Sequence, residues 1–170
     1  MGPRPAVYVA SPLGFFAAGR HYLEAVLLPT VRHAGFDALD PWDHPGDPIG
    51  AALAVKHPEE RRTHLTAANA AVAARNARLI RDAAAVLAVL DGSDVDSGVA
   101  AEIGFAAALG TPVVGVRTDW RSSGDNEAAT VNLQVEWFLE STGGTICPSL
   151  EEALAELARV LDRALDHEPD

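Results

Sequence analysis

Short, continuous apolar runs alternate along this chain with longer stretches in which apolar residues recur every three or four positions. The first run, Ala6-Val7-Tyr8-Val9-Ala10, is too short for a helix and reads as a buried strand, closed by the turn-forming Ser11-Pro12-Leu13-Gly14. A helix is predicted over about 16–33, with Tyr22, Val26, Leu27 and Val31 near one face and Gly35 as its C-cap. Residues 36–39 form a weak second strand, the segment from Asp40 to Gly46 is loop, and 49–55 make a short helical turn. The longest helical pattern runs over 58–83 and feeds the clearest strand, 84–90. After the loop from Asp91 to Gly98 come a helix over 99–109, closed by Gly110, and a strand over 112–116. Residues 117–129 look irregular, 131–139 helical and 145–146 a last short strand; an amphipathic helix covers 150–165.

Buried strands separated by helices imply a parallel sheet covered on both faces. The expectation is therefore an α/β fold: one domain over residues 1–170 with a doubly wound five-stranded parallel sheet, flavodoxin-like or Rossmann-like. A domain of this length buries roughly 70% of its unfolded surface and needs no covalent staple. Ligands of such sheets bind beyond the carboxyl ends of the strands near the switch point, so the loops after Ala10, Leu39 and Leu90 are the candidates.

Charge narrows the partners. Thirteen Lys and Arg stand against 24 Asp and Glu, a net charge of −11, which argues against a nucleic-acid polymer or an anionic membrane surface. Cys147 is the only cysteine, excluding an intramolecular disulfide and a cysteine zinc site and favouring a reducing compartment. The opening apolar run breaks at Ser11-Pro12, and the later run from Ala83 to Leu90 is far below a membrane span, so a soluble, cytoplasmic protein is expected. The histidines have no zinc-site spacing, and neither a G-x-S-x-G, a Walker A nor a G-x-G-x-x-G motif occurs. No metal and no cofactor are expected.

The loop after Leu90 carries the most chemistry. Asp91, Asp94 and Asp96 crowd into six residues before a helix starts, and Asp96 or Ser97 is a natural N-cap. Asp91 and Asp94 read as turn residues. Within that helix Val99, Glu102, Ile103, Ala106 and Leu109 share a stripe, which puts a carboxylate among core positions one turn from the helix start. Such a Glu is either a partly exposed residue pairing with an Arg or a partly desolvated nucleophile or base. On the long helix Asn69 and Asn76 interrupt the stripe of Leu65, Val72, Leu79, Ile80 and Ala83; each amide bonds a neighbouring loop, or Asn76 points into a ligand site. Tyr8 is a core tyrosine or the partner of a carboxylate, Trp42 caps the core or stacks on a flat base, and Arg20 and His21 meet solvent or an anion.

Several of these stretches together resemble the nucleoside 2-deoxyribosyltransferase family. The pieces are Val7-Tyr8-Val9-Ala10-Ser11-Pro12, Asn76 with Ile80 and Ala83, Ala88-Val89-Leu90-Asp91-Gly92, the block from Val95 to Ala106 containing Asp96-Ser97-Gly98 and Glu102-Ile103-Gly104, and Asn132-Leu133. The resemblance spans about residues 6–140. It implies a nucleophilic Glu102 that attacks the anomeric carbon of a 2'-deoxynucleoside, expels the base and passes the sugar to a second base with net retention. It further implies a Tyr8 that positions the nucleophile and an Asp96 that contacts the base and handles its proton. Asn132 would reach the sugar's 5'-hydroxyl from a neighbouring subunit, so a homo-oligomer is implied. Its partners would be a nucleoside or nucleotide and a free nucleobase. Relatives that hydrolyse nucleoside 5'-monophosphates share the fold and the Glu, and Ser11, Arg20, Ser97 and Gly98 would supply their phosphate site. The remaining substrate-binding expectations fall on Pro12, Leu13, Gly14, Phe15 and Phe16 of the first loop, with Trp42 and Asn76. Asn76 stands where some family members carry Asp, which weakens a proton-donor role there.

Overall fold

The computed structural model describes residues 4–165. Strands β1 (Ala6–Ala10), β2 (Asp37–Leu39), β3 (Ala85–Val89), β4 (Val113–Val116) and β5 (Ile146–Cys147) pair in parallel in the order β2-β1-β3-β4-β5. This is the expected doubly wound α/β sheet in its flavodoxin-like order. The chain winds one way from β1 to β2 and the other way from β3 to β5, so the switch point opens between β1 and β3.

Strand alternation decides which residues meet which helices. Val7, Val9, Leu87, Val114 and Val116 turn to one face, where Leu23, Leu27, Val31 and, from the last helix, Leu154 and Leu157 cover them. Tyr8, Ala10, Val86, Ala88 and Val113 turn to the other, under Ile80, Val99, Ile103, Val135 and Leu139. Tyr8 is thereby aimed, fully buried, at the helix that follows β3.

The first helical region differs from its sequence pattern. α1 (Ala17–Tyr22) passes through a wide π-helical turn, Leu23–Leu27, into α2 (Leu28–His33). Pro29 has no N–H to return to the carbonyl of Ala25, and the Leu28 N–H reaches back five residues to Leu23. Leu23, Leu27, Leu28 and Val31 face the core, whereas Tyr22 and Val26, expected inside, are exposed.

α3 (Pro48–Leu53) starts at Asp47, whose side chain accepts from the Gly50 amide at 3.0 Å. α4 (Pro58–Asp82) opens on a proline, and Glu59 and Glu60 in its first turn suit the positive end of the helix dipole. α5 (Ser97–Leu109) is capped by Asp96, whose Oδ1 accepts from the Gly98 and Val99 amides at 2.9 and 3.1 Å; it stops at Gly110, whose φ of 74° suits glycine. α6 (Leu133–Ser141) begins two residues later than its periodicity implies because the Asn132 side chain caps it. α7 (Leu150–Leu165) closes the fold. The last strand lies one residue beyond the predicted 145–146, since the Cys147 carbonyl takes the Arg117 amide at 2.9 Å. No helix among the described residues is long and apolar enough to cross a membrane.

The stretch after β4 is irregular but braced. Arg117, only 6% exposed, donates to the carbonyls of Leu90, Gly92 and Arg121. Between the first two of those residues Asp91 accepts from the Thr118 and Asp119 amides, both at 2.6 Å, and from the Thr118 hydroxyl at 3.0 Å. Asp91 is thus more than a turn residue: with Arg117 it locks the β3–α5 loop against the segment following β4.

Candidate active site

The site grows from three decisions made by the local sequence. Alternation in β1 puts Tyr8 on the α4–α5 face. The Asp96 cap fixes where α5 starts, and helical spacing then carries Glu102 back over the end of β1. The result is a hydrogen bond from the Tyr8 hydroxyl to Glu102 Oε1 at 2.5 Å, the length of a charge-assisted O–H···O⁻ contact. Among the described residues Glu102 pairs with no arginine; it is a largely buried carboxyl whose hydrogen-bond partner is Tyr8.

Electrostatics poise this carboxyl near neutrality. Burial is the dominant influence and raises its pKa; the Tyr8 hydrogen bond lowers it, the Asp96 charge raises it, and the balance is about 7. Tyr8 itself is driven far above the ordinary phenol range by burial and by the adjacent Glu102 charge, so it remains a donor.

Glu102 opens into a cavity of about 800 Å³ across the switch point. Sheet order defines its walls. The α5 side contributes Asp96, Gly98, Val99 and Glu102; the loop after β1 contributes Ser11, Gly14 and Phe15, with Arg20 from α1; the loop after β2 and the start of α3 contribute Pro41, Trp42, His44, Asp47 and Ile49. α4 supplies Asn69, Val72 and Asn76. The Trp42 indole is fixed by donating Nε1–H to the Ser11 carbonyl at 3.0 Å and meets Phe15 edge-on at 4.5 Å. It also lies flat against Gly14, where a Cβ would come within 2.1 Å of the indole. Arg20 reaches back to the Gly14 carbonyl at 2.8 Å. Burial and the Arg75 guanidinium lower His44 below the ordinary imidazole range, and burial raises Asp40, which accepts from the Trp42 amide at 2.9 Å.

Most of the expected site residues therefore meet. Ser11, Gly14, Phe15, Arg20, Trp42, Asn76, Asp96, Gly98 and Glu102 line one cavity, with Tyr8 behind the carboxylate. The others lie elsewhere. Leu13 packs into the core on the opposite face, Phe16 is 53% exposed, and Pro12 accepts the Phe15 amide in the turn after β1. Ser97 is exposed outside the lining, and Asn132 caps α6 while its Nδ2 approaches Asp125 at 3.5 Å. Sequence reasoning missed His44, Asp47 and Ile49. They sit in or beside a segment legible only as loop, and it becomes a wall only because β2 pairs beside β1. Among the described residues no group of three or more His, Cys, Asp or Glu is placed to hold a metal ion.

A doubly wound α/β domain with a half-buried carboxylate, a phenol behind it and a deep cleft at the switch point has the architecture of a small-ligand enzyme. Residues 7–135 match the family model described as nucleoside 2-deoxyribosyltransferase, and the chain belongs to that family. The family is one of enzymes acting on nucleosides. Among solved structures, a conserved protein from Enterococcus faecalis V583 is 25% identical with a TM-score of 0.66 over 92% of this chain and 99% of that one. A 2-deoxyribosyltransferase from Leishmania mexicana is 22% identical, TM-score 0.60, over 93% and 97% of the two chains. One from Bacillus psychrosaccharolyticus is 19% identical, TM-score 0.58, over 91% and 95%. The last two establish the shared fold. No curated protein sequence matches significantly.

Proposed function

We propose that the protein moves a 2-deoxyribosyl group from one nucleobase to another through a covalent glycosyl ester on Glu102. The observation that carries this reading is the 2.5 Å Tyr8–Glu102 contact inside the cleft. A carboxylate kept near its pKa by burial is both available as an anion and weakly solvated, which is what a nucleophile at an anomeric carbon requires. Its oxygen forms the bond to C1' while the C1'–N bond breaks and its electron pair leaves with the base. A second base then attacks C1' and releases Glu102, so two inversions return the original configuration. Tyr8 holds the attacking carboxylate in place between the two steps. Asp96 spends Oδ1 on the helix cap and keeps its other oxygen for the departing base and its proton. Trp42, Ile49 and Val72 offer apolar walls for a flat ring.

Asn132 lies outside the cavity of its own chain, which agrees with a role at a neighbouring subunit's sugar in a homo-oligomer. The setting we assign is soluble and cytoplasmic, with no nucleic-acid polymer as partner.

One observation favours a second reading, hydrolysis of nucleoside 5'-monophosphates by the same Glu with water as acceptor. The Arg20 guanidinium lines the same cavity, and a planar cation with several N–H donors suits a phosphate. Chromatography separates the two. The protein is incubated with deoxyadenosine or deoxycytidine plus a different free base, and separately with CMP or dCMP and no acceptor, each beside Glu102→Ala. A new deoxynucleoside that disappears in the variant supports transfer. Base released only from the monophosphates moves the assignment to hydrolysis, and no turnover of any substrate removes both.

A further inference from the structure

We propose that Asn69 reads the outer edge of the nucleobase and that its carboxamide lets the cavity accept amino- and oxo-substituted bases alike. The inference rests on the reading of Glu102 as the group that meets the sugar.

α4 leads into the start of β3, so it runs against the strands. Residues nearer its N-terminus therefore stand progressively further beyond the carboxyl edge of the sheet. Asn76, Val72 and Asn69 share one helical face and all line the cavity. Seven residues at 1.5 Å each place Asn69 about 10 Å further out than Asn76. The two amides differ as depth requires. Asn76 is half-buried, its Oδ1 closed to solvent and without a hydrogen-bond partner, whereas Asn69 is exposed at the rim. The Asn69 side chain makes no hydrogen bond or other polar contact with any described residue.

The reacting sugar carbon must touch Glu102, at the deep end. Arg20, which lines the cavity from α1 rather than α4, suits the hydroxyl or phosphate end of the substrate. The base then extends between Trp42, Ile49 and Val72, and its edge remote from the glycosidic nitrogen arrives at Asn69. A carboxamide offers a carbonyl to an amino group or, turned over, an N–H to a ring carbonyl. Asp at this position would accept only, and Leu would do neither.

The test uses Asn69→Asp and Asn69→Leu. Values of kcat/KM are compared within the pairs deoxyadenosine/deoxyinosine and deoxycytidine/deoxyuridine, and binding of the same nucleosides to Glu102→Gln protein carrying each substitution is measured by calorimetry. The expected result is an amino-over-oxo ratio that rises about 10-fold in Asn69→Asp, through KM and through binding, and a loss for both classes in Asn69→Leu. Ratios unchanged in Asn69→Asp while the parent protein turns over would overturn the assignment. If no nucleoside is turned over by the parent, the transfer reading fails. A binding ratio that still shifts then supports Asn69 as a base reader on its own, and one that does not removes both.

Discussion

Replacing Tyr8 with Phe removes one oxygen and leaves the ring that fills its place in the buried core. The lost contact is the 2.5 Å hydrogen bond that opposes burial in setting the ionisation of Glu102. A hydrogen bond to a charged group contributes about 1.5–3 kcal/mol. At about 1.4 kcal/mol per tenfold change in proton affinity, its loss shifts the ionisation of Glu102 to higher pH by about one to two pH units. With Glu102 starting at about 7, roughly half is ionised at pH 7. In Tyr8→Phe the ionised fraction falls to on the order of 1–10%, so a reaction needing the anion slows about 5- to 50-fold at pH 7. The same variant regains most of that loss by about pH 9.5, because raising the pH restores the nucleophile. The assay is kcat/KM against pH for both proteins, over a range in which circular dichroism shows each to be folded. A wild-type rate that rises through the ordinary glutamate range rather than near neutrality would refute the burial argument. A Tyr8→Phe loss of equal size at pH 7 and pH 9.5 would refute the ionisation argument and leave Tyr8 with positioning alone.

The raised ionisation of Glu102 has a cost to stability whose sign can be checked separately. The folded protein holds this proton more tightly than the unfolded chain, so stability is fully present at low pH and declines as pH rises from about 4.5 through about 7. Glu102→Gln should therefore abolish turnover yet unfold several degrees higher than wild type at pH 8, a gain of up to about 3 kcal/mol, with little difference at pH 4.5, by calorimetry at both pH values. Arg117→Met strips the carbonyls of Leu90, Gly92 and Arg121 of their donor and should destabilise by about 3 kcal/mol, lowering Tm by roughly 6–12 °C; an unchanged Tm would contradict the bracing role. Gly14→Ala sets a methyl 2.1 Å from the Trp42 indole, so the ring must leave the cavity wall, and KM should rise about 10-fold with kcat less affected. Asn132→Ala removes the α6 cap and should cost about 1 kcal/mol, whereas Asn132→Ser keeps a capping oxygen. Activity lost in the Ser variant at unchanged Tm supports the reach into a neighbouring subunit, and activity retained removes it.

β3 and β4 were legible because each is a short run that the sheet buries on both faces, and the caps because Asp96 and Gly110 announce the two ends of α5. The carboxylate was legible too: Glu102 interrupts a stripe whose neighbours Val99, Ile103 and Ala106 are buried. What periodicity could not supply was anything set by contacts remote in sequence. The inward face of the first helical region depends on the wide turn before Pro29. The role of Asp91 appears only once Thr118 and Asp119 lie against it. The wall formed by Trp42, His44 and Ile49 exists because β2 pairs with β1. Asn69 and Asn76 were visible as polar interruptions, but which of them meets the cavity depended on where the neighbouring loops fall, and both do.

The covalent step at Glu102 is open to direct test. Wild-type protein mixed with a 2'-deoxynucleoside in the absence of acceptor base, quenched in acid and analysed by intact-mass and peptide mass spectrometry, should carry one deoxyribosyl group on the peptide containing Glu102. Addition of a second base before the quench should discharge it, and Glu102→Gln should never acquire it. Steady turnover with no adduct on that peptide at any quench time, joined to a product of inverted configuration, would contradict the account.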